Sequence, residues 1–305
     1  MSKHGGGHWY TYPHGETCHE TYYAGTARWW RCAACCGTFS QTLTECPHCG
    51  CGEMSRALRN VTLRDARKWA RDGTRIILPS VTSIQSDSGT PPGLVRWKVE
   101  NAVECALTLK QADGEPADEF KRRVMEDADR QSRDAMDLGT RVHEAIDAAV
   151  RQQVWRPHVA TELLPYVTPA MDWYRANVKR RLRTEHAFAC ADGYGGTIDL
   201  FAELQDGRCA VVDWKTYGSK AKYAAYWEHG EQLAAYALAM ISKRLRVDAI
   251  INVGISTRNP GEVVPIEHGN YGDLCESWLC VLTRYQLRTG YDPVKEQDKC
   301  RTSIR

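Results

Sequence analysis

Apolar residues along this chain follow two different periods, and the change between them predicts the architecture. "TLRDARKWARDG", residues 62–73, predicts a short helix stopped at Gly73. "ILPSVTSIQSDSGTPPG" predicts a strand or extended piece followed by a Pro/Gly loop. The spacing from Leu94 to Leu109 is helical, as is "PADEFKRRVMEDADRQSRDAMDLGTRVHEAIDAAVRQQ", which predicts two helices dividing near Gly139. "PYVTPAMDWYRANVKRRLR" predicts a further helix with a basic end. The period then shortens to two. "EHAFAC", "GTIDLFAEL" and "CAVVDWKT" predict three strands separated by the turns "ADGYGG" and "QDG". "YAAYWEHGEQLAAYALAMISKR" predicts a helix, "VDAIINVGIS" and "GEVVPIEHG" two strands, and "YGDLCESWLCVLTRYQLRTG" a last helix. Helices followed by βββ, helix, strand, strand and helix imply a mixed α/β or α+β fold.

Composition narrows the class. The 305 residues are 43% hydrophobic and 26% charged, enough apolar surface for a sizeable core. The net charge of +2 gives no bulk attraction to nucleic acid, so an anionic partner must be met by a local patch. The absence of an N-terminal apolar run or a long apolar span predicts a soluble cytoplasmic protein with no membrane partner. Of 13 cysteines, six fall between Cys32 and Cys51, a clustering that suits metal better than a disulfide framework. Three regions are expected. Residues 1–27 predict a hairpin of two aromatic strands around "PHGE", 28–54 a cysteine-rich insertion, and 55–305 the main domain.

The candidate chemistry lies in "GTIDLFAELQDGRCAVVDWKT". Alternate residues of a strand share a face, so Asp213 and Lys215 point the same way where the apolar run ends. Antiparallel pairing through "QDGR" brings Asp199 close to Asp213. Two carboxylates so placed repel, and desolvation sharpens the repulsion. A divalent cation such as Mg²⁺ or Mn²⁺ relieves it, and the lysine then offers a charge to a phosphate or orients an attacking water. A D-x-K triplet alone also fits an ordinary ion pair at a strand end. Gln232 and Tyr236 are four apart and share one helix face, where they either line the site or pack at the core rim.

"GTRVHEAID", "GTIDL", "VVDWKT" and "QLAAY", in that order, resemble the motifs of the PD-(D/E)XK nuclease superfamily, with the nearest likeness in its RecB-like, phage-exonuclease branch. The resemblance spans roughly residues 60–290 and includes "LPSVTSI" and "PPGLVRWKVENAVECALTL" upstream. It implies a restriction-endonuclease-like αβββαβ core, here with extra N-terminal helices. It implies that Asp199, Asp213 and the Trp214 carbonyl ligate Mg²⁺ or Mn²⁺, that His143 is an additional ligand, and that Lys215 positions the water. Glu185 is a candidate further acid of the site, although a charged strand end reads equally well.

Cys32-x-x-Cys35 and Cys46-x-x-Cys49, ten residues apart, have the spacing of two zinc knuckles. Cys36, His48 and Cys51 are alternative ligands, and an iron–sulfur cluster is the alternative metal group. Such a short segment lacks a core and is expected to fold only with Zn²⁺. Lys179, Arg180, Arg181 and Arg183 before the site strands, and Lys220 and Lys222 after them, are candidate DNA contacts. Trp29 and Trp30 either stack on bases or pack on the knuckles. The functional expectation is a Mg²⁺-dependent exonuclease of phage recombination, replication or repair. DNA is the expected partner, a recombination or annealing protein a candidate one, and oligomerisation stays open. The alternatives are a structure-specific or restriction-like endonuclease, and a non-catalytic DNA-binding protein on a degenerate nuclease fold.

Overall fold

The runs containing Asp199 and Asp213 are neighbouring strands of a five-stranded sheet in the computed structural model. The structure describes residues 61–72, 76–90, 92–152, 154–218 and 223–296, and in the first sixty residues the strands 9–11, 19–24, 27–32, 38–40 and 57–58. The N-terminal strands are β1 (Trp9–Thr11), β2 (His19–Ala24), β3 (Ala27–Cys32), β4 (Thr38–Ser40) and β5 (Ala57–Leu58). Then follow α1 (Leu63–Arg71), β6 (Ile77–Pro79), α2 (Val81–Asp87), α3 (Pro92–Thr108), α4 (Ala117–Arg151) and α5 (Leu164–Asn177). The sheet and its helices are β7 (Val178–Cys190), β8 (Tyr194–Leu204), β9 (Cys209–Tyr217), α6 (Trp227–Ser242), β10 (Ala249–Ser256), β11 (Val263–Glu267) and α7 (Tyr271–Thr289).

The sheet order is β11-β10-β9-β8-β7. β7, β8 and β9 form an antiparallel meander, α6 carries the chain to a parallel β9–β10 pair, and β11 closes the edge. This is a mixed α/β fold of restriction-endonuclease-like order. Period-two alternation sends Val211 to a core shared with α2, α6 and α7. It sends Ala210, Val212 and Trp214 to a core shared with α4 and α5. Every residue of β10 is buried, as expected for a strand covered on both faces.

Four expectations need correction. α4 is one helix of 35 residues and runs through Gly139. That glycine is a contact surface rather than a break, because a Cβ there would lie 2.9 Å from Thr216 Oγ1 on β9. The "VKRRLR" segment is strand, not helix end: α5 stops at Asn177, and Val178 and Leu182 are buried as β7 passes along the sheet edge. "VTSIQSD" is the helix α2, started by the Ser80 hydroxyl, which accepts from Ser83 N at 3.0 Å. The first two strands do not pair with each other. β1 lies between β5 and β6, and β2 pairs with β3 in a separate three-stranded sheet with β4. Trp9 and Tyr10 are buried, and the Tyr10 and Thr197 hydroxyls share a 3.0 Å hydrogen bond. The N-terminal strand is therefore part of the main body. Among the described residues no helix is long and apolar enough to cross a membrane.

Gly139→Val tests the close approach of α4 to β9. Thr216 is β-branched and stiff, so the added volume must push the elements apart. Urea unfolding should show a loss of about 1–3 kcal/mol at unchanged slope. Equal or higher stability would contradict the packing described.

Candidate active site

The β8–β9 ladder runs from Glu203↔Cys209 to Leu200↔Val212, and the next residues on the two strands are Asp199 and Asp213. Past that point the Trp214 N–H is taken by a side chain: Asp199 Oδ2 accepts it at 3.0 Å. The same oxygen lies 3.4 Å from Nδ1 of His143 on α4. Burial works to raise the Asp199 carboxyl, but His143, Lys215 and the Trp214 N–H outweigh it and hold the group below its ordinary range. Burial likewise works against a charged His143, and the hydrogen bond and charge of Asp199 overcome it, so the ring titrates above its ordinary value. The stabilisation His143 contributes is therefore fully present below its unfolded pKa and is lost as pH rises through the folded one.

Asp213 is 2% exposed, and burial together with the nearby Asp199 charge pushes its carboxyl above the usual carboxylate range. Lys215 Nζ lies 2.9 Å from both Asp213 oxygens and donates to Gln232 Oε1 at 3.1 Å. Gln232 Nε2 donates to the Tyr236 hydroxyl at 2.8 Å. The Tyr236 ring packs edge-on against Phe188. α6 thus presents Gln232 to the lysine and sinks Tyr236 into the core, so both readings of that pair of residues hold at once.

Glu185 lies within β7, not at its start, at the register position opposite Asp199 between Thr184↔Leu200 and His186↔Ile198. Its backbone is left-handed, φ 43°, a conformation that costs a residue other than glycine about 1–3 kcal/mol. Glu185 is exposed to solvent, yet the protein crowding its carboxyl, with Asp199 and Asp147 nearby, pushes it up to about 7. Solvent screens part of that repulsion.

Sequence reading missed several members of this region. Asp147 is one turn beyond His143 on α4, a spacing that could have revealed it. It accepts from Thr184 Oγ1 at 2.7 Å and from Arg151 Nε at 2.8 Å. Asn252 donates to Asp213 Oδ2 at 2.8 Å, and its signal was a lone amide inside the apolar run of β10. His229 titrates down near 3, through burial and then the Lys215 and His268 charges. No local pattern announces Tyr10, which reaches β8 from β1, 187 residues earlier in the chain.

The basic run is placed differently from expectation. Lys179 and Arg180 pair with Glu203, four residues along β8 from Asp199, or roughly 13 Å. Arg181 donates to the Val150 carbonyl at 3.0 Å. Arg183 is 1% exposed and donates to His186 Nε2 at 2.8 Å, so it cannot present its charge to a phosphate at the surface. Lys220 and Lys222 lie outside the described residues. So do Cys35, Cys46 and Cys49, with their alternatives Cys36, His48 and Cys51, while Cys32 is described only as the last backbone position of β3.

Among the described residues no group of three or more His, Cys, Asp or Glu is already gathered as a metal cage. The donor chemistry nevertheless fits a hard divalent cation. A buried carboxylate, Asp213, and a largely covered one, Asp199, lie at adjoining register positions, and an imidazole lies 3.4 Å from the second.

In metal-free protein, Asp199→Asn should lower the His143 pKa, since burial then acts without the opposing charge. Imidazole ¹⁵N titration by NMR reads this directly, and an unchanged or higher value would separate the two residues.

No curated protein matches the chain significantly. A solved structure described as "Crystal structure of SSO0001" is similar at 15% identity over 41% of this chain and 62% of that one, with a TM-score of 0.25. The chain thus spans less than two thirds of that structure's length, and a likeness so limited carries no argument. The family model of the PD-(D/E)XK nuclease superfamily matches residues 107–260, half of the 305-residue chain and the whole span from α4 to β10. The chain belongs to the PD-(D/E)XK nuclease superfamily.

Proposed function

We propose that this superfamily member is a Mg²⁺- or Mn²⁺-dependent deoxyribonuclease of the RecB-like branch, acting as an exonuclease in phage-type recombination, replication or repair. One observation carries the reading. Asp199 and Asp213 meet where the β8–β9 ladder stops, with Lys215 bound to Asp213 and His143 beside Asp199. Asp199, Asp213, His143 and the Trp214 carbonyl would hold the metal. When bound, it supplies Lewis-acid polarisation of the phosphodiester and a more acidic attacking water.

The chain's own residues supply the rest. Lys215, steadied between Asp213 and Gln232, sets a positive charge where the phosphoryl oxygens gain negative charge. Tyr236 anchors Gln232 and so limits the lysine's freedom. Glu185, poised near neutrality, can exchange a proton at the rim. Cys32, Cys35, Cys46 and Cys49 would hold one structural Zn²⁺ as an appendage contacting DNA or a partner protein, a reading supported by their spacing alone.

End-labelled linear DNA and a covalently closed circle, each with Mg²⁺, test the function. The linear form alone should be degraded, and cutting of the circle would select an endonuclease. Asp199→Asn, Asp213→Asn and Lys215→Ala should each lower the rate by about 10²–10³ with the fold retained, as loss of a preorganised electrostatic group does. More than about a tenth of wild-type activity in either aspartate variant would remove these residues from the reaction.

Elemental analysis checks the appendage. Purified protein should carry about one tightly held zinc per chain, released by joint Cys46→Ser and Cys49→Ser replacement while cleavage of a simple end survives. Iron with visible absorbance would replace the zinc assignment.

A further inference from the structure

Asn252 and His268 form a hydrogen-bonded chain that ends on Asp213. β9 and β10 are parallel with Asn252 in register with Asp213, so their side chains rise from the same face. Asn252 is 0% exposed and is the only amide in a strand otherwise built of Ala, Ile, Val, Gly and Ser. A buried amide is costly unless both of its ends are satisfied. Here its Nδ2 donates to Asp213 Oδ2 at 2.8 Å, and its Oδ1 accepts from His268 Nε2 at 2.7 Å.

The polarity of this chain is fixed by elementary rules. An ionised carboxylate only accepts, so Asn252 must turn its NH₂ toward Asp213. Its oxygen then faces His268, which must carry its proton on Nε2. His268 sits directly after β11, with its backbone N–H bonded to the Ile250 carbonyl at 3.1 Å. Its ring rests on Gly230 of α6, where a Cβ would come within 2.9 Å of the imidazole. The ring's place therefore depends on a glycine two residues before Gln232.

We propose that Asn252 and His268 are positioning residues for the metal site. His268 orients the Asn252 amide, and the amide fixes the plane of the Asp213 carboxylate. Oδ2 then carries both the amide and Lys215, while Oδ1 has Lys215 alone and is the oxygen more readily released to a cation. The proposal rests on reading Asp213 as a metal ligand. Neither residue touches the reacting atoms, and both act through Asp213.

Mn²⁺ binding to the full metal-free chain, without DNA, is the test, with free Mn²⁺ counted by electron paramagnetic resonance and melting followed in parallel. Asn252→Ala should weaken Mn²⁺ binding about 10–100-fold, the usual cost of losing an outer partner of a metal ligand. His268→Ala should weaken it in the same direction, and the double variant no further than Asn252→Ala alone, since both act along one chain. His268→Gln, which keeps an N–H donor, should recover most of the affinity. Wild-type affinity in a folded Asn252→Ala or His268→Ala protein overturns the proposal, as does a His268→Gln protein that binds no better than His268→Ala. Should Asn252→Ala fail to fold, the two His268 variants decide alone. Asp213→Asn separates the two levels. If it abolishes Mn²⁺ binding while Asn252→Ala keeps wild-type affinity, only the positioning role falls; if Asp213→Asn also binds normally, the metal-site reading itself is wrong.

Discussion

Two carboxylates at adjoining positions of paired strands repel each other, and the surroundings of Asp199 and Asp213 answer that constraint. Unit charges about 4 Å apart in a medium of effective dielectric about 20 repel by about 4 kcal/mol, a large share of the ~5–15 kcal/mol that holds a typical domain folded. The protein offsets this locally. Lys215 bridges both oxygens of one carboxylate, and His143 and a backbone N–H serve the other. With the Asn252 amide, those partners come from α4, β9 and β10, so the elements around the site are held by electrostatics as well as by apolar packing.

The two aspartates end unequal. Asp199 is held ionised by two donors, His143 and the Trp214 N–H, and by the Lys215 charge, whereas Asp213, more deeply buried, stays raised despite Lys215 and Asn252. That inequality follows from topology. Asp199 lies under α4, which brings an imidazole, and Asp213 lies under α6, whose nearest contribution is an amide acting through the lysine. The pair thus sets a carboxylate held in its charged form beside one whose charged form burial disfavours.

Much of this was legible in the sequence because the relevant signals are local. The strands of "GTIDLFAEL" and "CAVVDWKT" follow from alternation and a tight turn, and the pairing of Asp199 with Asp213 follows from counting residues back from "QDGR". What failed to be legible depends on distant contacts. Gly139 reads as a helix break unless Thr216 is known to lie against it. "VKRRLR" reads as a helix end because its charges mask Val178 and Leu182, whose burial against the sheet decides the conformation. "VTSIQSD" reads as extended because its β-branched residues outweigh a single capping serine. Asn252 and His268 gain meaning only when β10 is laid parallel to β9.

The first strand has a consequence for synthesis. Trp9 and Tyr10 pack first against neighbours made soon after them, Ile77 and Leu78 of β6, but part of their cover comes much later: Tyr10 bonds Thr197 across 187 residues of chain, and Trp9 packs edge-on against Tyr291 just after α7. At about 5–20 residues per second on the ribosome, Tyr10 waits roughly 10–40 s before its partner exists. Over that interval the two large aromatic side chains have only α1, β5 and β6 to cover them. Emergence of the β8 segment is thus the earliest moment at which the Tyr10 hydroxyl can find its native partner, so the docking of β1 begun on β5 and β6 is finished only when the large sheet forms.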